Sequence, residues 1–188
     1  MAAVIESITD ELRDWIERQP VFFVASAPLT GEGHVNLSPK GLGMLRVVDG
    51  RLVRYLDLTG SGAETIAHVR ENGRITIMFC AFEGPPRILR LFGRGTAHLI
   101  GSAAFDDRIR SFRDVPHSTR AVVEVAVTRV QTSCGFGVPL MDLVGSRDRL
   151  TKWGEARTSE DLDAYRARKN ARSIDGLPAF SDHSAASG

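Results

Sequence analysis

Over residues 21–130 the chain is dominated by short apolar, β-branched runs separated by turn residues, and only a few stretches switch to helical spacing. At the start, Ile5, Ile8, Leu12, Trp15 and Ile16 recur every three or four positions, while Glu6, Asp10, Glu11, Arg13, Asp14 and Glu17 fill the opposite face. This predicts an amphipathic first helix that stops before Pro20 and covers one end of a sheet. Ser7 and Asp10 offer an internal cap, and the start stays open. The run over 21–26, ended by Pro28, and the run over 34–38 flank a Thr30-Gly31-Glu32-Gly33 turn and predict a hairpin, whose second strand ends at Pro39-Lys40-Gly41. A second hairpin joins 43–48 to 51–57 through Asp49-Gly50.

The next turn, Thr59-Gly60-Ser61-Gly62, opens a helix over 63–72 that carries Ile66 and Val69 on one side and stops at Asn72-Gly73. Two long strands follow over 74–82 and 87–100, with Gly93 and Gly95 marking a bulge or barrel corner. Phe105, Ile109 and Phe112 mark a short helix after Ser102, and the valine-rich run over 121–130 is a central strand. About six strands with peripheral helices and no βαβ alternation predict a mainly β, closed antiparallel barrel of α+β type.

Beyond residue 145 the pattern changes. Residues 145–153 are polar and helical in composition, and Thr158-Ser159-Glu160-Asp161 is a capping-box pattern. Leu162 and Tyr165 give the following helix an apolar edge too narrow to be a core, so it must pack on another surface. Residues 181–188 are small and polar and are expected to fray. The expected organisation is a barrel over 1–145 and, over 146–188, a helical extension of the same domain, which suits the 188-residue length.

Composition narrows the function. Charged residues make up 25% of the chain and the formal net charge is +1, so no strong field recommends nucleic acid or an acidic membrane as partner. There are two cysteines, Cys80 in an apolar strand and Cys134 beside Gly135, with no CxxC pair. Neither a disulfide framework nor a metal site is expected. The first residues carry acidic side chains and lack an apolar core, and no later run reaches membrane-spanning length, so a soluble cytoplasmic protein is expected.

Chemistry concentrates around the Thr59–Gly62 turn. Hydroxyls and free backbone N–H groups at a helix N-terminus suit a phosphate or carboxylate, although the same residues also make an ordinary capped turn. Lys40 stands on a turn beside a glycine, and Asn36 and Ser38 alternate on one strand face. His68, in mid-helix, is expected to be a partly exposed side chain, not a catalyst. Cys134 has no histidine partner to activate it, so the Thr132–Pro139 stretch reads as a sharp turn whose glycines let backbone approach a ligand or a subunit.

The stretches VNLSPKG (35–41), PPRILRLFGRG (85–95) and TSCGFGVP (132–139), in this order about the Thr59–Gly62 turn, resemble the pyridoxamine 5′-phosphate oxidase-like, FMN-binding split-barrel family over roughly residues 21–139. The closing KNARSIDGLPAF (169–180) is similar to the tail of one branch of it. The resemblance implies a six-stranded antiparallel split barrel with flanking helices, and a homodimer holding two FMN molecules in clefts between the chains. It implies that Lys40 reaches the FMN phosphate and that the third strand delivers Asp57, Thr59 and Ser61. Thr65, in the first turn of the helix, can donate to the phosphate or cap locally; of the further cations Arg87 and Arg90, which odd spacing puts on opposite strand faces, Arg87 is the candidate because it is nearer the Gly84-Pro85-Pro86 loop. The oxidase itself has a Ser-Arg-Lys run where this chain has Ser61-Gly62-Ala63, so two positive charges are lost, and the oxidase's own substrate is not expected. The expectation is an FMN-dependent oxidoreductase acting on a small molecule. Its rivals are an enzyme using the deazaflavin F420 and a non-catalytic flavin- or haem-binding protein.

Overall fold

A computed structural model describes residues 3–180; the stretch expected to fray, 181–188, lies outside them. The strands are β1 (Ala3–Ile5), β2 (Val21–Ser26), β3 (Asn36–Gly41), β4 (Leu45–Asp49), β5 (Leu52–Leu58), β6 (Arg74–Cys80), β7 (Ile88–Leu99) and β8 (Thr119–Ser133). The helices are α1 (Asp10–Glu17), α2 (Glu64–Glu71), α3 (Ala103–Arg108), α4 (Arg149–Glu155) and α5 (Ser159–Lys169). All pairings are antiparallel, in the order β3-β2-β6-β7-β8-β5-β4, with β1 beside the far end of β8.

This is the expected antiparallel split barrel, with eight strands where about six were expected: all seven apolar runs marked in the sequence are strands, and β1 is the eighth. β1 takes Ile5 out of the helical stripe: residues 3–5 pair with 130–132 of β8, whose edge there would otherwise keep unpaired backbone groups. Helix α1 therefore begins later, at Asp10, with the Thr9 hydroxyl accepting from the Leu12 N–H at 3.3 Å. β3 also runs on through Pro39, which pairs opposite Phe23, to Gly41. As an edge strand it tolerates the missing N–H, so Lys40 stands on a strand and not on a turn.

The sheet curls around a core of Phe22, Val24, Val53, Tyr55, Ile77, Phe79, Leu89, Leu91, Val123 and Val125, and Leu12 and Ile16 of α1 close one end. Rings within it meet edge-on, Phe22 against Tyr55 at 5.6 Å between centroids. Gly93 marks the expected irregularity: the β7–β8 register shifts between Phe92 and Gly93. α2 buries Ile66 and Ala67 against Leu99 and Ala121.

Leu162 of α5 is 1% exposed and the Tyr165 ring packs edge-on to Trp153, so the narrow apolar edge is covered largely within its own chain. The capping box at Thr158 and Asp161 is formed as the sequence predicts.

Candidate functional site

The curled sheet brings its β3 edge opposite β5, and between them lies a cleft of about 370 Å³. That is within the range of small-molecule sites. Asn36, Ser38 and Lys40, at alternate positions of β3, form one wall; Leu56, Asp57 and Leu58 of β5 form another. Gly60 to Thr65 and Arg120 complete the closed end, and Leu150 of α4 reaches the rim.

At the centre is Asp57, 1% exposed, which accepts from Lys40 Nζ at 2.6 Å and from Arg120 Nε at 2.7 Å. Burial by itself would raise this carboxyl's pKa, but the Arg120 and Lys40 charges and their hydrogen bonds outweigh it and hold the group at about 2. Arg120, 4% exposed, also donates through Nη2 to the Gly62 carbonyl at 2.7 Å. Its Nη1 is buried and has no hydrogen-bond partner among the described residues. Lys40 and Arg120 are formally balanced by Asp57 and Glu64, so an anion would be drawn by local donors and not by net charge. Those donors include the start of α2, whose N-cap is Ala63 with no side-chain capping bond. The turn is therefore not the ordinary capped one, and its first N–H groups have no side-chain acceptor among the described residues.

A second network runs inward from the β3 wall. Ser38 Oγ donates to Asn36 Oδ1 at 2.9 Å, and Asn36 Nδ2 donates to Thr65 Oγ1 at 2.9 Å and Ser26 Oγ at 3.2 Å. Ser26 Oγ then meets His68 Nδ1 at 3.0 Å. His68 is fully buried, contrary to the expected partial exposure, because its face of α2 turns onto β2 instead of solvent. Burial lowers its pKa despite nearby Asp175, Glu64 and Glu71, and its Nε2 has no partner among the described residues.

Of the residues singled out in the sequence, Asn36, Ser38, Lys40, Asp57, Ser61 and Thr65 therefore meet at one cleft. Thr59 does not line it: its side chain is buried behind the turn and accepts from Arg166 Nη1 at 3.1 Å. Arg87 lies elsewhere in the chain, its guanidinium 5.3 Å from the Trp15 ring centre and bordering a shallow cavity with Thr9 and Cys134. Arg120, Arg166 and Asn170 were not singled out. The only sequence signal for Arg120 is an arginine abutting the valine run of β8, a position that demands a buried acceptor. Gly135, in the predicted sharp turn, has φ +68° and lies so close to Arg87 that a Cβ would meet its backbone at 2.8 Å. Among the described residues, no cluster of three or more His, Cys, Asp or Glu could hold a metal, and no helix is long and apolar enough to cross a membrane.

A family model described as pyridoxamine 5′-phosphate oxidase matches residues 8–134. The chain belongs to that family. A pyridoxamine 5′-phosphate oxidase family protein, ustO of Aspergillus flavus, is 43% identical over 201 residues, spanning 98% of this chain and 80% of that protein. Two crystal structures of HupZ from Group A Streptococcus align with TM-scores of 0.52 and 0.50 at 26% identity. They cover 67% and 65% of this chain and 99% and 91% of theirs. The family match ends at Cys134, so the arm over 135–148, α4, α5 and the closing loop lie beyond it, whereas ustO matches nearly the full chain.

Proposed function

We propose that this chain is a cytoplasmic, FMN-binding oxidoreductase that holds the flavin phosphate at the Arg120 and Lys40 end of the cleft and acts on a small molecule. The observation that supports this most is the unpartnered Nη1 of Arg120, a buried cationic donor in the wall of a cleft that also contains Lys40 and the uncapped start of α2. These residues suit a phosphate: charge-assisted bonds from Arg120 and Lys40 join backbone N–H groups of the turn. Arg120 takes the part expected of the missing Arg-Lys pair, from β8 instead of from the turn. Asn36 and Ser38 offer polar atoms to the ring edge, with Thr65 fixing Asn36 from behind. The flavin, when bound, supplies the electron-accepting chemistry.

A homodimer is part of this reading. Its support is the arm over 135–148, where Phe136, Leu140, Met141, Leu143 and Val144 are all exposed, from 58% to 102%. Apolar side chains so concentrated favour burial against a second copy, where Arg87 would find the role that it lacks within one chain.

Titration of the purified apo-protein with FMN, riboflavin, F420 and haem tests the reading. Saturable binding of FMN in preference to riboflavin, and twice the chain mass by light scattering, are expected. Preference for F420 or haem would move the function to that alternative, and no flavin binding would sink the proposal.

A further inference from the structure

The closing segment does more than cover the barrel: it is fastened to the back of the ligand turn. Arg166, in the last turns of α5 and 5% exposed, donates through Nη1 to Thr59 Oγ1 at 3.1 Å, while its Nη2 is held by Asp163 at 2.5 Å. Asn170, the C-cap of α5 and fully buried, donates through Nδ2 to the Gly60 carbonyl at 2.9 Å. Four residues on, the Ile174 N–H donates to Glu64 Oε1 at 3.3 Å, at the first position of α2. The loop after Asn170 folds back so that the Phe180 N–H reaches the Asn170 carbonyl at 3.3 Å, and Phe180 lies 5.7 Å from the Arg120 guanidinium. From the other side, Thr59 N–H donates to the Ser118 carbonyl at 2.8 Å, and Gly154 of α4 sits so close to Ser118 that a Cβ would meet that side chain at 2.5 Å.

The consequence follows from peptide geometry. A trans peptide is planar, with its carbonyl and N–H pointing opposite ways, and no cis bond occurs among the described residues. Asn170 is not a wall of the cleft, whereas Ser61 is. Holding the Gly60 carbonyl toward Asn170 therefore turns the Ser61 N–H away from Asn170. A turn with glycines at 60 and 62 would otherwise sample many orientations of these planes, and each would have to be frozen when an anion binds.

We propose that Arg166 and Asn170 are positioning residues that hold the Thr59–Gly62 turn with its N–H groups set for a phosphate monoester, making the C-terminal segment a clamp on the anion site. This rests on the FMN reading for the ligand, but not for the clamp itself. The segment lies beyond the part of the chain that the family model covers, so the clamp adds a structural element to the barrel.

The test uses the full chain with Asn170→Ala, Arg166→Met and the milder Arg166→Lys, which keeps the stem and the charge but not the fork. Binding of FMN and of riboflavin, which lacks the phosphate, is measured beside amide hydrogen exchange of the apo-protein. Asn170→Ala should weaken FMN roughly tenfold while leaving riboflavin unchanged, and should speed exchange at Ser61 and Gly62 by about the same factor. Arg166→Lys should fall between Arg166→Met and the parent. A preserved preference for FMN together with unchanged exchange at the turn would overturn the clamp. So would an equal loss for both ligands with exchange raised throughout the barrel, because that describes a purely structural role. If the parent ignores FMN while the turn still loosens in the variants, the flavin reading falls and the clamp stands.

Discussion

Lys40 Nζ lies 2.6 Å from Asp57 Oδ1, so that a lysine on the edge strand β3 and a buried carboxylate on β5 tie the two sides of the split together. Asp57 is simultaneously held by Arg120 from β8. One carboxylate therefore organises both cations of the cleft.

Lys40→Ala should weaken FMN binding by about tenfold to a hundredfold, because a hydrogen bond to a charged group is worth roughly 1.5–3 kcal/mol. Calorimetric titration of FMN into parent and variant measures it. Equal affinities would mean that Lys40 serves only Asp57.

The acid limb of stability should have two parts. His68, lowered by burial, is neutral in the fold, so its contribution is full above the ordinary value of 6.5 and is lost as pH falls through its lower folded pKa. Asp57, depressed from 3.8 to about 2, contributes stability above the ordinary value that disappears between the two. The lower loss should amount to about 2 kcal/mol. Urea unfolding between about pH 7.5 and pH 2.5 reads both, and His68→Gln should shrink the upper part without removing it, since His98 is also lowered by burial. A flat profile down to about pH 4.5 would contradict the His68 assignment.

Gly93→Ala should destabilise the barrel by about 1–3 kcal/mol or more, the usual cost of overpacking. A Cβ there would meet the Ala126 carbonyl oxygen at 2.4 Å and Val125 Cγ1 at 2.9 Å, and the former is backbone that cannot swing aside. Chemical denaturation checks it. A midpoint equal to the parent's would show that the bulge relaxes freely.

Cys134 is exposed, and a hydrogen bond donated by the Phe136 backbone N–H holds its thiol below the ordinary range, while burial raises the thiol of Cys80. An electrophilic thiol reagent should therefore label one cysteine quickly and the other slowly. Cys134→Ser should abolish the fast phase and leave FMN affinity unchanged. Loss of flavin binding in that variant would reveal a role for the thiol in the site.

What the sequence determined by itself was what short-range rules govern. Period-two apolar runs and the Asp49-Gly50 turn marked the hairpins, Ser102 and Thr158 marked helix starts, and Gly93 and Gly135 marked the places of irregular or close backbone. Asn36, Ser38 and Lys40 share a strand face, and Ser61 and Thr65 flank one helix start, so proximity within each group was legible from periodicity alone. Only the tertiary structure decided which of these groups meet and what else joins them. Arg120 reaches Asp57 across 63 residues of chain, Arg166 reaches Thr59 across 107, and Asn170 reaches Gly60 across 110. A guanidinium or an amide carries no local signature of its partner, because hydrogen-bonding capacity is the same wherever the residue stands. Burial, which makes those bonds obligatory, is a property of the curled sheet and the tail laid over it.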